Sequence, residues 1–178
     1  MENLAIIDIG SNSVKMVIAK IKTNKSFKII DEKKEIVRLG DNMGEDFKLA
    51  PEKINKTVQT LKTFKNFCQN KNTENIITVA TAAVRKATNQ NYFLRKVKQE
   101  AKLDVTVLSG KKEGYFDYLA VVNSIDKKEG LIMDIGGGST ELIWMKNKKT
   151  KKIISLPFGG KLQVKIHVFF NFLYLLYF

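Results

Sequence analysis

Ile6-Ile-Asp-Ile-Gly-Ser-Asn-Ser-Val-Lys-Met-Val-Ile18 and Ile132-Met-Asp-Ile-Gly-Gly-Gly-Ser-Thr-Glu-Leu-Ile-Trp144 are two copies of one pattern. Asp8 aligns with Asp134, Gly10 with Gly136 and Ser13 with Ser139, each pair 126 residues apart. In both copies an apolar run ends in Asp-x-Gly, small polar residues make a turn, and a second apolar run follows. That is a strand–turn–strand signal, and its repetition predicts two related lobes. The boundary is expected near 125–130, where Asp126-Lys-Lys-Glu129 makes a charged connection. Residues 1–125 then form lobe one, and 126–160 begin lobe two.

Working outward from the first copy, strands are expected at 4–9, 13–21 and 27–38. Pro51 suits the first position of a helix, and Ile54, Val58, Leu61, Phe64, Phe67 and Cys68 follow at helical spacing, which predicts a helix over 51–69. Cys68 then reads as a buried small apolar residue. A strand is expected at 76–80, a helix from about Ala82, a helix from Asn89 to Lys102 and a strand at 105–108. A last helix, 111–123, carries Tyr115, Phe116, Leu119 and Val122 on one face. Lobe one thus reads βββαβαβα, an α/β fold. Lobe two begins with strands at 131–136, 140–146 and 152–157, and no helix is expected to cover either face of them.

Composition narrows the chemistry. Among 178 residues there is one cysteine and one histidine, which excludes a disulfide framework and a multi-cysteine zinc site. A histidine-centred triad would rest on His167 alone. The formal net charge is +13, but only Arg38, Arg85 and Arg95 of the 31 basic residues are arginine. Lysine is the point charge of solvated surfaces, whereas base readers lean on the arginine fork, so no specific nucleic-acid partner is expected. The positive field still attracts polyanions. The start of the chain lacks a basic segment followed by an apolar one, and a cytoplasmic protein with no membrane partner is expected.

After Gly160 the composition changes abruptly. Six of the 17 aromatic residues fall within Phe169–Phe178. The run is about half of the ~20 apolar residues a spanning helix needs, and it has no amphipathic period. Residues 161–178 are read as an aberrant apolar tail on a C-terminally truncated chain.

Asp134-Ile-Gly-Gly-Gly-Ser-Thr-Glu141 is the most informative string. Its glycines let backbone N–H groups approach an anion, and Ser139 and Thr140 add hydroxyls. Asp134 closes a strand at the mouth of the turn, where a carboxylate can hold Mg²⁺ directly or through water. Ser11-Asn12-Ser13 offers the same polar turn without the glycines. One glycine triplet is a weak signal, but two matching turns can hold a phosphate from both sides. On the residues alone, Glu113 also reads as a first-turn helix acid favoured by the macrodipole, and Arg85 as a surface arginine.

Residues 1–159 resemble the Ppx/GppA phosphatase family (exopolyphosphatase and guanosine pentaphosphate phosphohydrolase) of the actin-like ATPase superfamily. The resemblance rests on Ile7-Asp-Ile-Gly-Ser-Asn-Ser13, Ala80-Thr-Ala-Ala-Val-Arg-Lys-Ala-Thr-Asn89, Leu108-Ser-Gly-Lys-Lys-Glu113, Asp134–Leu142 and Ser155-Leu-Pro-Phe-Gly159. It implies an actin-like ATPase (ribonuclease H-like) fold and Mg²⁺-dependent release of terminal phosphate from inorganic polyphosphate or guanosine pentaphosphate. By motif position Glu113 looks like the general base and Arg85 like a phosphate clamp. Ser11, Asn12, Ser13, Gly136, Gly137, Gly138 and Ser139 would cradle phosphate, and Asp134, with Glu141 as a weaker candidate, would hold the metal. The family's members resemble homodimers. Two departures stand out: Lys112-Glu113 replaces an acidic pair, and Gly114 stands where alanine is common, at up to ~1 kcal/mol of helix propensity. The alternatives are an inactive fragment or polyanion-binding remnant, and an actin-like nucleotide-binding kinase or filament protein.

Overall fold

The computed structural model describes residues 2–23 and 26–160. Expectations that fall on 161–178, including the tail and His167, lie outside the described residues.

The first sheet contains β1 (Glu2–Ile9), β2 (Ser13–Ile21), β3 (Phe27–Ile36), β4 (Asn75–Ala80) and β5 (Val105–Val107) in the order β3-β2-β1-β4-β5. β1, β2 and β3 form an antiparallel meander, while β4 and β5 add parallel to β1. Parallel neighbours need crossovers, and helices supply them: α1 (Pro51–Asn70) before β4, then α2 (Ala82–Lys86) and α3 (Gln90–Glu100) before β5. The βββαβαβα order expected for lobe one is observed, ending in α4 (Gly110–Ser124).

Side-chain alternation decides which face of this sheet is packed. Ala5, Ile7 and Ile9 of β1 and Val14, Met16 and Ile18 of β2 are fully buried. They meet Ile54, Val58, Leu61 and Phe64 of α1 and Phe93 and Val97 of α3 in one core. Cys68 joins it as expected, its sulfur 3.4 Å from that of Met16. β3 stops at Ile36, two residues before the expected end. There the Val37 and Arg38 N–H groups turn away from the ladder and donate to the Asn12 carbonyl at 3.1 and 2.8 Å, and Arg38 takes a left-handed φ of 53°.

The second sheet is a meander of β6 (Gly130–Ile135), β7 (Thr140–Lys146) and β8 (Lys149–Leu156). β8 starts three residues earlier than expected. Asn147 and Lys148 both have φ of 54°, the geometry of a two-residue hairpin turn matched to strand twist, so the lysine-rich run 149–152 enters the strand.

The expectation that no helix covers these three strands is corrected by α4. At Gly114 the helix comes so close that a Cβ there would lie 2.8 Å from Ile153 Cγ2, 3.4 Å from Ile143 Cγ1 and 3.5 Å from Glu141 Cβ. Only a residue without a side chain lets helix and sheet approach so closely. The aromatic face read from the sequence is therefore not the packed one: Tyr115 and Phe116 remain 43% and 44% exposed. The opposite face of the sheet leaves Met133 and Trp144 39% and 47% exposed.

Candidate active site

The two copies of the repeat fold alike. In the first, the Gly10 N–H donates to the Ser13 carbonyl at 3.0 Å; in the second, the Gly136 N–H donates to the Ser139 carbonyl at 3.0 Å. The turns then face one another. A Cβ on Gly138 would sit 2.5 Å from Ser11 Oγ and 3.2 Å from Ala82 Cβ, and one on Gly137 would sit 3.5 Å from Asn12 Cβ. The glycines thus let the second turn lie directly against the first. The first turn is braced from behind, since the Gly40 N–H donates to the Ser11 carbonyl at 2.8 Å.

Not every residue of the turns points its side chain at the gap. Ser13 begins β2, and its carbonyl closes the first turn. Ser139 is 1% exposed, and its hydroxyl donates to Glu141 Oε2 at 3.3 Å. Asn12 is exposed, and its carbonyl is occupied by the 37–38 backbone.

Arg85 and Glu113 come from different elements, α2 and the first turn of α4, and meet at 2.8 Å between Arg85 Nη1 and Glu113 Oε2. The same nitrogen donates to the Leu108 carbonyl at 2.8 Å. The start of α4 is set by Ser109, whose hydroxyl oxygen accepts the Lys112 N–H at 3.2 Å, a serine N-cap. Burial pushes the Glu113 carboxyl above its ordinary range, the Arg85 guanidinium opposes this, and Asp8 and Asp134 add to the rise.

A carboxylate cluster lies alongside. Oxygens of Asp117, Asp134 and Glu141 are all within 4.8 Å of one another. Glu141 is fully buried, and Ser155 Oγ donates to its Oε1 at 2.7 Å; burial raises its proton affinity all the same. The Asp117 carboxyl is pushed up to about 7, first by burial and then by the charges of Asp134, Glu141, Glu113 and Asp8. Asp8 is raised too, by burial first, against Lys15 and with Asp134. Like charges gathered in a partly dry site favour protonation or a cation. Asp117 Oδ2 is buried without a hydrogen-bond partner among the described residues, which is costly unless something satisfies it. Three converging hard oxygen donors, one of them unsatisfied, fit a hard divalent cation.

Sequence reading placed Asp134 and Glu141 here but missed Asp117 and Lys86. Asp117 stands four residues after Glu113, one helical turn along the same face, and that spacing is the signal that finds it. Lys86 has no such signal. It sits one residue past Arg85, and its ammonium donates to the carbonyls of Gly138 at 2.6 Å and Pro157 at 2.7 Å.

A repeated strand–turn–strand unit, a meander extended by parallel crossovers, and turns that meet above a carboxylate cluster define a protein of the actin-like ATPase fold class. The chain belongs to the Ppx/GppA phosphatase family, whose model matches residues 17–164. It is 38% identical over 165 residues to the bifunctional 3-dehydroquinate synthase/phosphatase of Fusobacterium nucleatum, covering 88% of this chain and 25% of that protein. It is 34% identical over 159 residues to the guanosine-5'-triphosphate,3'-diphosphate pyrophosphatase of Pseudoalteromonas atlantica, covering 89% of this chain and 31% of that one. The crystal structure of an exopolyphosphatase from Cytophaga hutchinsonii superposes with a TM-score of 0.84 at 26% identity, over 90% of this chain and 52% of that one. The chain thus spans a quarter to a third of these two curated relatives and about half of that solved structure. Among the described residues, no helix is long and apolar enough to cross a membrane.

Proposed function

We propose that this chain carries the phosphate-binding and water-activating part of a cytoplasmic phosphohydrolase, which releases terminal phosphate from inorganic polyphosphate or guanosine pentaphosphate. The observation that carries the reading is the Arg85–Glu113 pair beside the Asp117, Asp134 and Glu141 carboxylates. A base, a guanidinium and a cation-binding cluster at facing polar turns are the parts that phosphoryl transfer to water needs.

In this reading the terminal phosphate lies at the mouth of the seam where the two turns meet. The Ser11 hydroxyl and the backbone N–H groups of Ser11 and Asn12 hold it on one side, and the backbone N–H groups of Gly137 and Gly138 on the other, while Ser13, Gly136 and Ser139 shape the two turns through the Gly10–Ser13 and Gly136–Ser139 bonds. Arg85 leaves Glu113 for the phosphate oxygens as substrate enters, since a planar guanidinium suits them. Glu113, freed of its partner, accepts a proton from the attacking water. The water oxygen bonds to the terminal phosphorus as the phosphoanhydride bond breaks, and the shortened polyanion departs. Asp117, Asp134 and Glu141 would hold Mg²⁺, which would supply charge neutralisation for the phosphate oxygens.

Purified chain incubated with long-chain polyphosphate, guanosine pentaphosphate and ATP, with and without Mg²⁺, tests this. Mg²⁺-dependent phosphate release from one of the first two is expected. Salt-sensitive binding of polyphosphate with no release would instead identify a polyanion-binding protein. Release from ATP alone would point to the nucleotide-dependent branch of the fold class.

A further inference from the structure

Among the described residues Lys86 joins three separate pieces of the chain. It ends α2, which follows the first sheet's β4, and its ammonium reaches two carbonyl oxygens on the far side of the gap, Gly138 in the glycine turn and Pro157 beyond β8. Those two segments are already stitched together: the Gly160 N–H donates to the Gly136 carbonyl at 2.9 Å, and Thr140 Oγ1 donates to the Phe158 carbonyl at 2.8 Å. Among the described residues this unit meets the first turn through the close approach of Gly137 and Gly138 to Ser11 and Asn12, and Lys86 ties it to α2. The ammonium is partly desolvated and sits beside Arg85, which both work against its charge, while Glu141 supports it. A cation kept in such a place and bonded to two carbonyls is held by geometry that a neutral side chain cannot reproduce.

We propose that Lys86 is a positioning residue that locks the glycine turn, residues 136–139, against the Ser11-Asn12-Ser13 turn and so sets how the two turns are presented to phosphate. Its bearing on catalysis rests on the phosphohydrolase reading; its mechanical role does not. Removal of the ammonium leaves the Gly138 and Pro157 carbonyls without their donor and frees the 136–139 and 157–160 segments to part from α2. Arginine keeps the charge and several donors, so it preserves the link.

Amide hydrogen exchange on the full chain tests this for wild type, Lys86→Met and Lys86→Arg. In Lys86→Met the amides of Gly136–Ser139 and Phe158–Gly160 are expected to exchange at least tenfold faster, with those of β1, β2 and β4 unchanged and Lys86→Arg close to wild type. Unchanged exchange in both turns, or equal acceleration throughout the first sheet, would overturn the proposal. Should Lys86→Met fail to fold, Lys86→Gln, which keeps a donor but no charge, carries the same comparison. Tripolyphosphate affinity in Mg²⁺ is then expected to fall about tenfold in the variant whose turns loosen and to recover in Lys86→Arg. Loosened turns in a protein that binds no tripolyphosphate even as wild type would leave the role of Lys86 standing and remove the phosphohydrolase reading instead.

Discussion

Arg85 Nη1 and Glu113 Oε2 lie 2.8 Å apart, both side chains largely shielded from solvent. The pair links α2 to α4, and through α4 it reaches the second sheet. The guanidinium also opposes the push of burial on the Glu113 carboxyl, which still lies above its ordinary range.

Arg85→Met removes the group that holds the proton affinity of Glu113 down, while burial and the Asp8 and Asp134 charges that raise it remain. The acid limb of the pH–rate profile for phosphate release is therefore expected to move to higher pH. The variant is also expected to lose at least ~100-fold in rate, the scale of one deleted transition-state donor. A pH–rate profile of Arg85→Met against wild type checks both.

Asp117 gives the metal-free protein a distinctive pH dependence. Its carboxyl sits near 3.8 when unfolded and is pushed up to about 7 in the fold. A raised acid binds its proton more tightly in the native state, so its contribution is fully present below about pH 4 and is lost as pH rises towards 7. In chelator, thermal stability is expected to fall across that window. Asp117→Asn is expected to flatten the fall, and added Mg²⁺ to reverse it at pH 7 by binding the native state. Melting curves at several pH values, with chelator and with Mg²⁺, measure all three.

Gly114 and Gly138 are both points of close approach, with different expected outcomes on substitution. At Gly114 the obstacle is the Cγ2 methyl of Ile153 at 2.8 Å, with Ile143 Cγ1 at 3.4 Å; that methyl sits one bond from a β-branched Cβ and is stiff at χ1. Gly114→Ala regains up to ~1 kcal/mol of helix propensity but overpacks the helix–sheet contact at a cost of roughly 1–3 kcal/mol, so its melting temperature is expected to fall. At Gly138 the new methyl would meet Ser11 Oγ at 2.5 Å, with Ala82 Cβ 3.2 Å away, and it pushes the two turns apart. Gly138→Ala is expected to weaken tripolyphosphate binding at least tenfold while the melting temperature changes little. Calorimetric titration and a melt on each variant distinguish the two.

Most of the first lobe was legible because its signals are local. The Asp-x-Gly repeat fixed both hairpins, and the Gly10–Ser13 and Gly136–Ser139 bonds at the same 3.0 Å show that the two copies share a turn. Pro51 and the apolar spacing after it located α1 to within a residue of its end. The failures come from tertiary choices. α4 shows an aromatic stripe in sequence, yet it packs through Gly114 because the second sheet needs close approach more than bulk. Asp117 looks like a solvated helix acid until Asp134 and Glu141 are folded beside it. Lys86 looks like one more surface lysine until the chain brings Gly138 and Pro157, 52 and 71 residues later, within reach of its ammonium.

The measurement that tests the account most directly is phosphate release by Glu113→Gln beside wild type, in Mg²⁺ and saturating polyphosphate or guanosine pentaphosphate. Glutamine keeps the shape and one hydrogen-bond acceptor for Arg85 but cannot take a proton from water. The account expects release to fall by about 100-fold or more, the scale of a lost general base, with tripolyphosphate affinity and melting temperature close to wild type. Release at the wild-type rate from a folded Glu113→Gln would contradict it, and the water would then have to be activated elsewhere.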